Sequence, residues 1–228
     1  MEDNGQKKTS RLVGILFLIQ MITASVSHSA ILVPILHSSN FPANVSAHAT
    51  EVTIAMLLDL ITGLSVFGIS VLLFPFLKKF NEIIALWYVG LRLYEFVCAV
   101  ISGIFLMTIL SLSKDYIHSN NTNSTYLQLI ASYFLQARGM TKTLMLLGFC
   151  FSASLFYYLL YKTKLLPRFI SVWGFLGVVL LFAEIMANIF DGSLGGIMIM
   201  LPLGLNEIFL GLWLIVRGFN VNPIETKS

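Results

Sequence analysis

Six ionisable side chains stand inside long apolar runs of this chain: Asp59, Arg92, Glu95, Lys142, Glu184 and Glu207. A charged residue at the centre of a lipid-spanning helix costs about 2.5 to 3.5 kcal/mol on the insertion scale, so such side chains persist where they face one another, a ligand or an ion. Arg92 and Glu95, in GLRLYEF, are three positions apart. On a helix that spacing lets them neutralise each other, and it leaves guanidinium donors for a carboxylate such as Glu207 on a neighbouring helix. Four carboxylates against two cations leave at least one carboxyl group to be neutralised by a proton or a bound cation. The chemistry these types support is recognition. Arg92 and Lys142 would meet an anionic group, Glu95, Glu184 and Glu207 would supply acceptors or a proton site, and Asp59 and Asn188 would complete a polar pocket.

The elements that must position these groups are six apolar blocks. They run from about Leu12 to Leu36, Val52 to Leu77, Ile83 to Leu110, Gly139 to Tyr161, Phe169 to Phe190 and Ile197 to Val216. A spanning helix needs about 20 mostly apolar residues, and the blocks lack the short polar–apolar alternation of barrel strands. With 57% hydrophobic and only 11% charged residues, the composition excludes a soluble domain. The fold class predicted is all-α: a polytopic membrane protein with six transmembrane helices in one bundle, forming a single domain over residues 1–228. The first block follows KKTSR, but its apolar stretch outruns a signal-peptide core and shows no small-x-small cleavage site, so it reads as a retained helix.

At 100° per residue each charged position shares a face with small or polar residues. In the second span these are Ala55, Asp59, Thr62, Gly63 and Ser70, and in the third Ala85, Tyr88, Arg92, Glu95, Ala99 and Gly103. The fifth span offers Trp173, Gly177, Glu184 and Asn188, and the sixth Gly204, Glu207, Gly211 and Gly218. The first contributes Gln20, Thr23 and Ser27, with His28 to one side. Small residues let helices approach and polar ones need partners, so these faces should point inward. Counted along the helices, Glu95 and Glu207 come near the midplane, while Asp59, Lys142, Glu184, Asn188 and His28 fall in one half.

That half is assigned by lysine and arginine in the loops, which set orientation. Placing the N-terminus inside puts Lys7, Lys8, Arg11, Lys78, Lys79, Lys162, Lys164, Arg168, Arg217 and Lys227 in the cytoplasm and leaves only Lys114 and Arg138 outside. Both termini are therefore expected to be cytoplasmic, with the polar pocket facing outward. The net charge of +3 is accounted for by topology and calls for no nucleic acid. The longest connection, Ser111 to Arg138, begins as the polar loop SKDYIHSNNTNST and continues as YLQLIASYFLQA, with apolar residues at helical spacing. Extending that helix into the fourth span would give about 54 Å where about 30 Å suffices, so a break is expected near Arg138-Gly139. Ser124 to Ala137 then becomes a short interfacial helix before the fourth span. Three N-x-S/T sequons start at Asn44, Asn120 and Asn123, in loops whose Asn, Ser and Thr content produces such triplets by composition.

Signatures of catalysis are missing. His28 is the one histidine of four in a span, so no HExxH or three-histidine metal site assembles there, and Asp59 lacks the second aspartate of an intramembrane protease. No GxSxG, Walker, Rossmann or zinc-ribbon spacing is present, and Cys98 and Cys150 lie in separate spans. No catalytic residue, metal or cofactor is predicted. Three readings follow. The first is a protein that binds or moves a small polar or lipid-like ligand in the pocket of Asp59, Arg92, Glu95, Lys142, Glu184, Asn188 and Glu207. The second is a structural or partner-binding subunit whose charges only fix packing. The third is a lipid-modifying enzyme pairing His28 with Asp59 or Glu184.

Three stretches, GLRLYEFVCAV in the third span, YYLLYKTKLLPRFISVWGFLGVV between the fourth and fifth, and the closing LNEIFLGLWLIVRGFN, resemble the bacterial membrane family catalogued as domain of unknown function 4386. The resemblance runs from RLVGILFLI to VRGFN, and its best motifs are the LLPR turn and the ending built on Glu207 and Gly218. It implies a multi-pass protein of a bacterial inner membrane, with its topology and charged faces mapping onto Arg92, Glu95, Pro167, Arg168, Glu207 and Gly218, and it implies no activity.

Overall fold

The structure is a computed structural model describing residues 2–38, 40–118, 121–190 and 192–220. The sequon at Asn120 and the basic residue Lys227 lie outside the described residues, as does the side chain of Asn123. In chain order the described elements are α1 (Glu2–Ser25), a π-helical turn (Val26–Leu32), α2 (Val33–Leu36), α3 (Phe41–Ala47), α4 (Ala49–Leu77), α5 (Glu82–His118), α6 (Asn121–Thr163), α7 (Arg168–Ile189) and α8 (Ile197–Val216). Six stretches are long and apolar enough to cross a membrane: Gly5–Leu36, Ala49–Leu77, Glu82–His118, Ser124–Thr163, Arg168–Ile189 and Met198–Val216. The all-α class and the six spans are as the sequence predicts.

Three local features differ from the sequence reading. Helix does not stop at Ser111, because α5 continues through SKDYIH to His118. The interfacial segment 124–137 is helical but is not a separate helix. α6 runs through Arg138-Gly139 without a break for 43 residues, about 64 Å. One glycine inside a helix costs only about 1 kcal/mol relative to alanine, and good helix formers flank this one. The Thr141 and Thr143 hydroxyls donate to the carbonyls of Ala137 and Gly139, one turn back across the expected break. The short helix between spans is instead α3, in the connection from the first to the second. There the Asn44 side-chain amide donates to the Ile35 carbonyl at 3.0 Å.

Proline accounts for the irregular first span. Pro34 has no N–H and its ring crowds the carbonyl a turn earlier, so the preceding turn widens. The Val33 N–H accordingly donates to the carbonyl of His28, five residues back.

The chain divides into two compact units, Met1–Met21 with Ser65–Glu95 and Leu146–Ser228, and Ile22–Leu64 with Phe96–Met145. The first unit has a core of Val13, Phe17, Ile69, Leu73, Tyr88, Phe156, Tyr157, Ile170, Val178, Leu210 and Leu214 among others. Its helices approach closely through glycine. A Cβ on Gly14 of α1 would stand 2.6 Å from the Gly211 carbonyl oxygen of α8, one on Gly177 of α7 would stand 3.0 Å from the Leu203 Cα of α8, and one on Gly174 would strike the Tyr157 ring of α6. After α8, Gly218 adopts a φ of +76° and donates its N–H to Trp213, a helix stop that glycine makes without strain. The second unit is cored by Leu32, Ile35, Leu36, Val45, Val52, Ala55, Leu106, Ile109 and Leu110.

Along α5 the positions buried at helical spacing are Ala85, Tyr88, Arg92, Glu95, Ser102, Leu106 and Ile109, while Trp87, Leu86 and Ile83 are exposed. The polar face therefore turns inward and the large apolar side chains turn out, the reverse of a soluble helix and the pattern that lipid demands.

Candidate ligand site

Among the described residues Arg92 is the largest fully buried side chain, and its surroundings explain how the chain holds a charge there. Its guanidinium lies over the Tyr88 ring, 5.4 Å from the centroid, and over the Phe149 ring at 5.2 Å. Planar, weakly hydrated guanidinium suits such stacking where an ammonium would not. One terminal nitrogen pairs with Glu95 Oε2 at 3.0 Å, within the turn of α5, and the other Glu95 oxygen accepts a short hydrogen bond from the Ser152 hydroxyl of α6. The sequence-predicted pair thus forms, anchored by a serine that hydropathy does not single out.

Glu207 of α8 belongs to the same unit and is close enough for its charge to act on Arg92 and on Tyr157. It is 7% exposed, and among the described residues it has no hydrogen-bond or ion-pair partner. One more polar atom here is buried without a partner, Arg92 Nε, and the Tyr88 hydroxyl lies within reach of the Arg92 side chain. Next to Glu207, by contrast, Asn206 has a partner on each side of its amide. It accepts from the Tyr157 hydroxyl at 2.7 Å and donates to the Ile170 carbonyl at 3.0 Å, tying α6, α7 and α8 together.

Glu184 and Asn188 occupy a different setting within this unit. The Glu184 carboxylate accepts from the Asn188 side chain at 3.0 Å, the Ser193 hydroxyl at 3.1 Å and the backbone N–H groups of Leu194 at 2.8 Å and Gly196 at 3.2 Å. Its partners are the turn from α7 to α8 and the N-terminal end of α8, where a negative charge also meets the positive end of the helix dipole. Both of its oxygens are thus engaged, Oε1 by Asn188, Ser193 and Gly196 and Oε2 by Leu194.

In the second unit Asp59 of α4 is bound by Arg138 of α6, whose terminal nitrogen stands 3.1 Å from Oδ2. The Ser27 hydroxyl lies 2.6 Å from Oδ1 and 3.0 Å from the Ala55 carbonyl, sharing one proton between them. Lys142, one turn beyond Arg138, is half-buried and within electrostatic reach of both. His28 is exposed.

Of the seven sequence-predicted residues, the structure brings Arg92, Glu95 and Glu207 together, Asp59 and Lys142 together, and Glu184 with Asn188. The sequence expectation sets Arg138 in a loop at the break before Gly139, whereas it lies within α6. Its four-residue spacing to Lys142 is the signal that could have placed it on the helix face. Asn206 stood beside Glu207 in an apolar run, where a buried amide needs partners as a charge does.

The model of the family described as domain of unknown function (DUF4386) matches residues 12–218 of the chain. No curated protein and no solved structure matches it.

Proposed function

The chain belongs to the DUF4386 family, and we propose that it binds a small polar ligand within the membrane at Arg92, Glu95 and Glu207. What carries this reading is Glu207, a buried carboxylate with no hydrogen-bond partner among the described residues, beside the unpartnered Arg92 Nε. Buried polar groups are nearly always satisfied, and one left open in lipid costs more than one left open near water. The ligand that fits supplies a donor, such as an ammonium, to Glu207 and an acceptor to the guanidinium. One guanidinium against two carboxylates favours a net positive ligand or one that arrives with a proton. Glu184 and Asn188 leave this pocket, because their hydrogen bonds are spent on the turn between α7 and α8.

The rest of the reading is architectural. The lysine and arginine bias supports cytoplasmic termini, and the family resemblance supports the inner membrane of a bacterium. α1, α4, α5 and α6 each contribute residues to both compact units, which supports one six-helix domain.

Native mass spectrometry of the protein in mild detergent tests the binding reading. A retained small molecule of defined mass is expected on the wild type and missing from Glu207→Gln and Arg92→Leu, with both variants still inserted and folded. Retention of the same mass by both variants, or none on the wild type, ends the proposal.

A further inference from the structure

Where Arg138 and Lys142 meet Asp59 in the second unit, two cations face one carboxylate. Arg138 and Lys142 stand one turn apart on α6, and Asp59 is the one carboxylate among the described residues whose charge reaches them. Arg138 is 4% exposed and gives a terminal nitrogen to Asp59, while its Nε is buried without a partner. Lys142 has no hydrogen-bond or ion-pair partner among the described residues. Asp59 is already held by Arg138 and Ser27, so it has little left to offer a second cation. His28 and His37 also act in this region, and neither brings negative charge.

From this arrangement we infer a binding site for the phosphate of an anionic lipid, with Arg138 Nε and the Lys142 ammonium as its donors. A phosphodiester brings one negative charge, which matches the excess, and several acceptor oxygens, which match the open donors. Depth favours a headgroup over a soluble anion. Lys142 is about 32 Å from Thr163 along α6, and Asp59 about 27 Å from Leu77 along α4. With the basic residues that follow those helix ends in one headgroup layer, a hydrocarbon thickness of about 30 Å carries Asp59 and Lys142 to the other layer. The same unit offers room for an acyl chain. An apolar groove of about 630 Å³ runs along α4 and α5, lined by Met56, Leu60, Gly103, Ile104 and Met107, and its α4 wall flanks Asp59 in sequence. This inference does not rest on the Glu207 site.

Thermal melting and native mass spectrometry of the full chain in detergent micelles, doped in turn with phosphatidylglycerol, phosphatidylcholine or inorganic phosphate, provide the test. Phosphatidylglycerol is expected to raise Tm and remain bound, and the other two to do neither. Lys142→Gln removes no internal hydrogen bond or ion pair among the described residues and should bind phosphatidylglycerol about tenfold more weakly, as should Arg138→Lys, which keeps the charge for Asp59 and loses Nε. Glu207→Gln should bind it as the wild type does. An equal effect of phosphatidylcholine, a full effect of inorganic phosphate, or wild-type binding by Lys142→Gln each overturns the inference.

Discussion

Charge is held inside this protein in two ways, and the difference decides what each side chain is for. Glu184 is satisfied: four donors from Asn188 and the following turn converge on one carboxylate. Its removal should loosen that turn and nothing else. In Glu184→Gln the amides of Leu194 and Gly196 should exchange with solvent about tenfold faster or more, with Tm lowered and the ligand retained at Arg92 and Glu207. Loss of the ligand with those amides still protected would return Glu184 to the pocket. Glu207 is the opposite case, an acceptor left open, which is why its substitution is expected to cost binding more than folding. The sequence made both carboxylates visible but could not tell them apart, since satisfaction depends on partners twelve residues away in one case and on a neighbouring helix in the other. Ser152 and Asn206 were invisible for a related reason: a serine or an amide barely dents the hydropathy of an apolar run, although each fixes a charged or buried neighbour.

At the scale of the helix, glycine has two unlike uses here, and one type of substitution separates them. Gly14 lets α1 touch the backbone of α8, and a methyl group there would stand 2.6 Å from the Gly211 carbonyl oxygen and 2.8 Å from Ile215. Gly14→Ala should therefore destabilise by about 1 to 3 kcal/mol, the usual cost of overpacking. Gly139 has nothing within 4 Å of where its Cβ would be and lies within an unbroken helix. Gly139→Ala should leave stability unchanged or raise it by up to about 1 kcal/mol. Chemical unfolding of the two variants measures both, and a destabilising Gly139→Ala would restore the break that the sequence favoured. That expectation erred through economy: a helix longer than the bilayer looked wasteful, yet continuing it is what sets Arg138 opposite Asp59, one turn before Lys142. The inward faces of α4 and α5 were legible because small and charged residues recur there at helical spacing. The π-helical turn was not, because Pro34 marks a disturbance without saying how the backbone absorbs it.

For the molecule as a whole, the long helices set a geometric problem that orientation solves. α5 and α6, at 37 and 43 residues, both exceed a hydrocarbon layer of about 30 Å, and they are joined through residues 119–120. At their other ends stand Lys78 and Lys79 before α5, and Lys162, Lys164 and Arg168 around the turn into α7. Basic residues stay cytoplasmic, so the surplus of both helices should project from the opposite side. Single cysteines in a background with Cys98 and Cys150 replaced by alanine decide the matter in intact cells. Thr125→Cys, exposed on the surplus of α6, should react with a membrane-impermeant maleimide, and Phe80→Cys, exposed in the turn before α5, should react only after the cells are opened. The reverse pattern would turn the protein over. It would place the Arg138 and Lys142 cluster at the cytoplasmic headgroup layer, where anionic lipid is also present, so the lipid-phosphate site and the direction of insertion stand or fall on separate measurements.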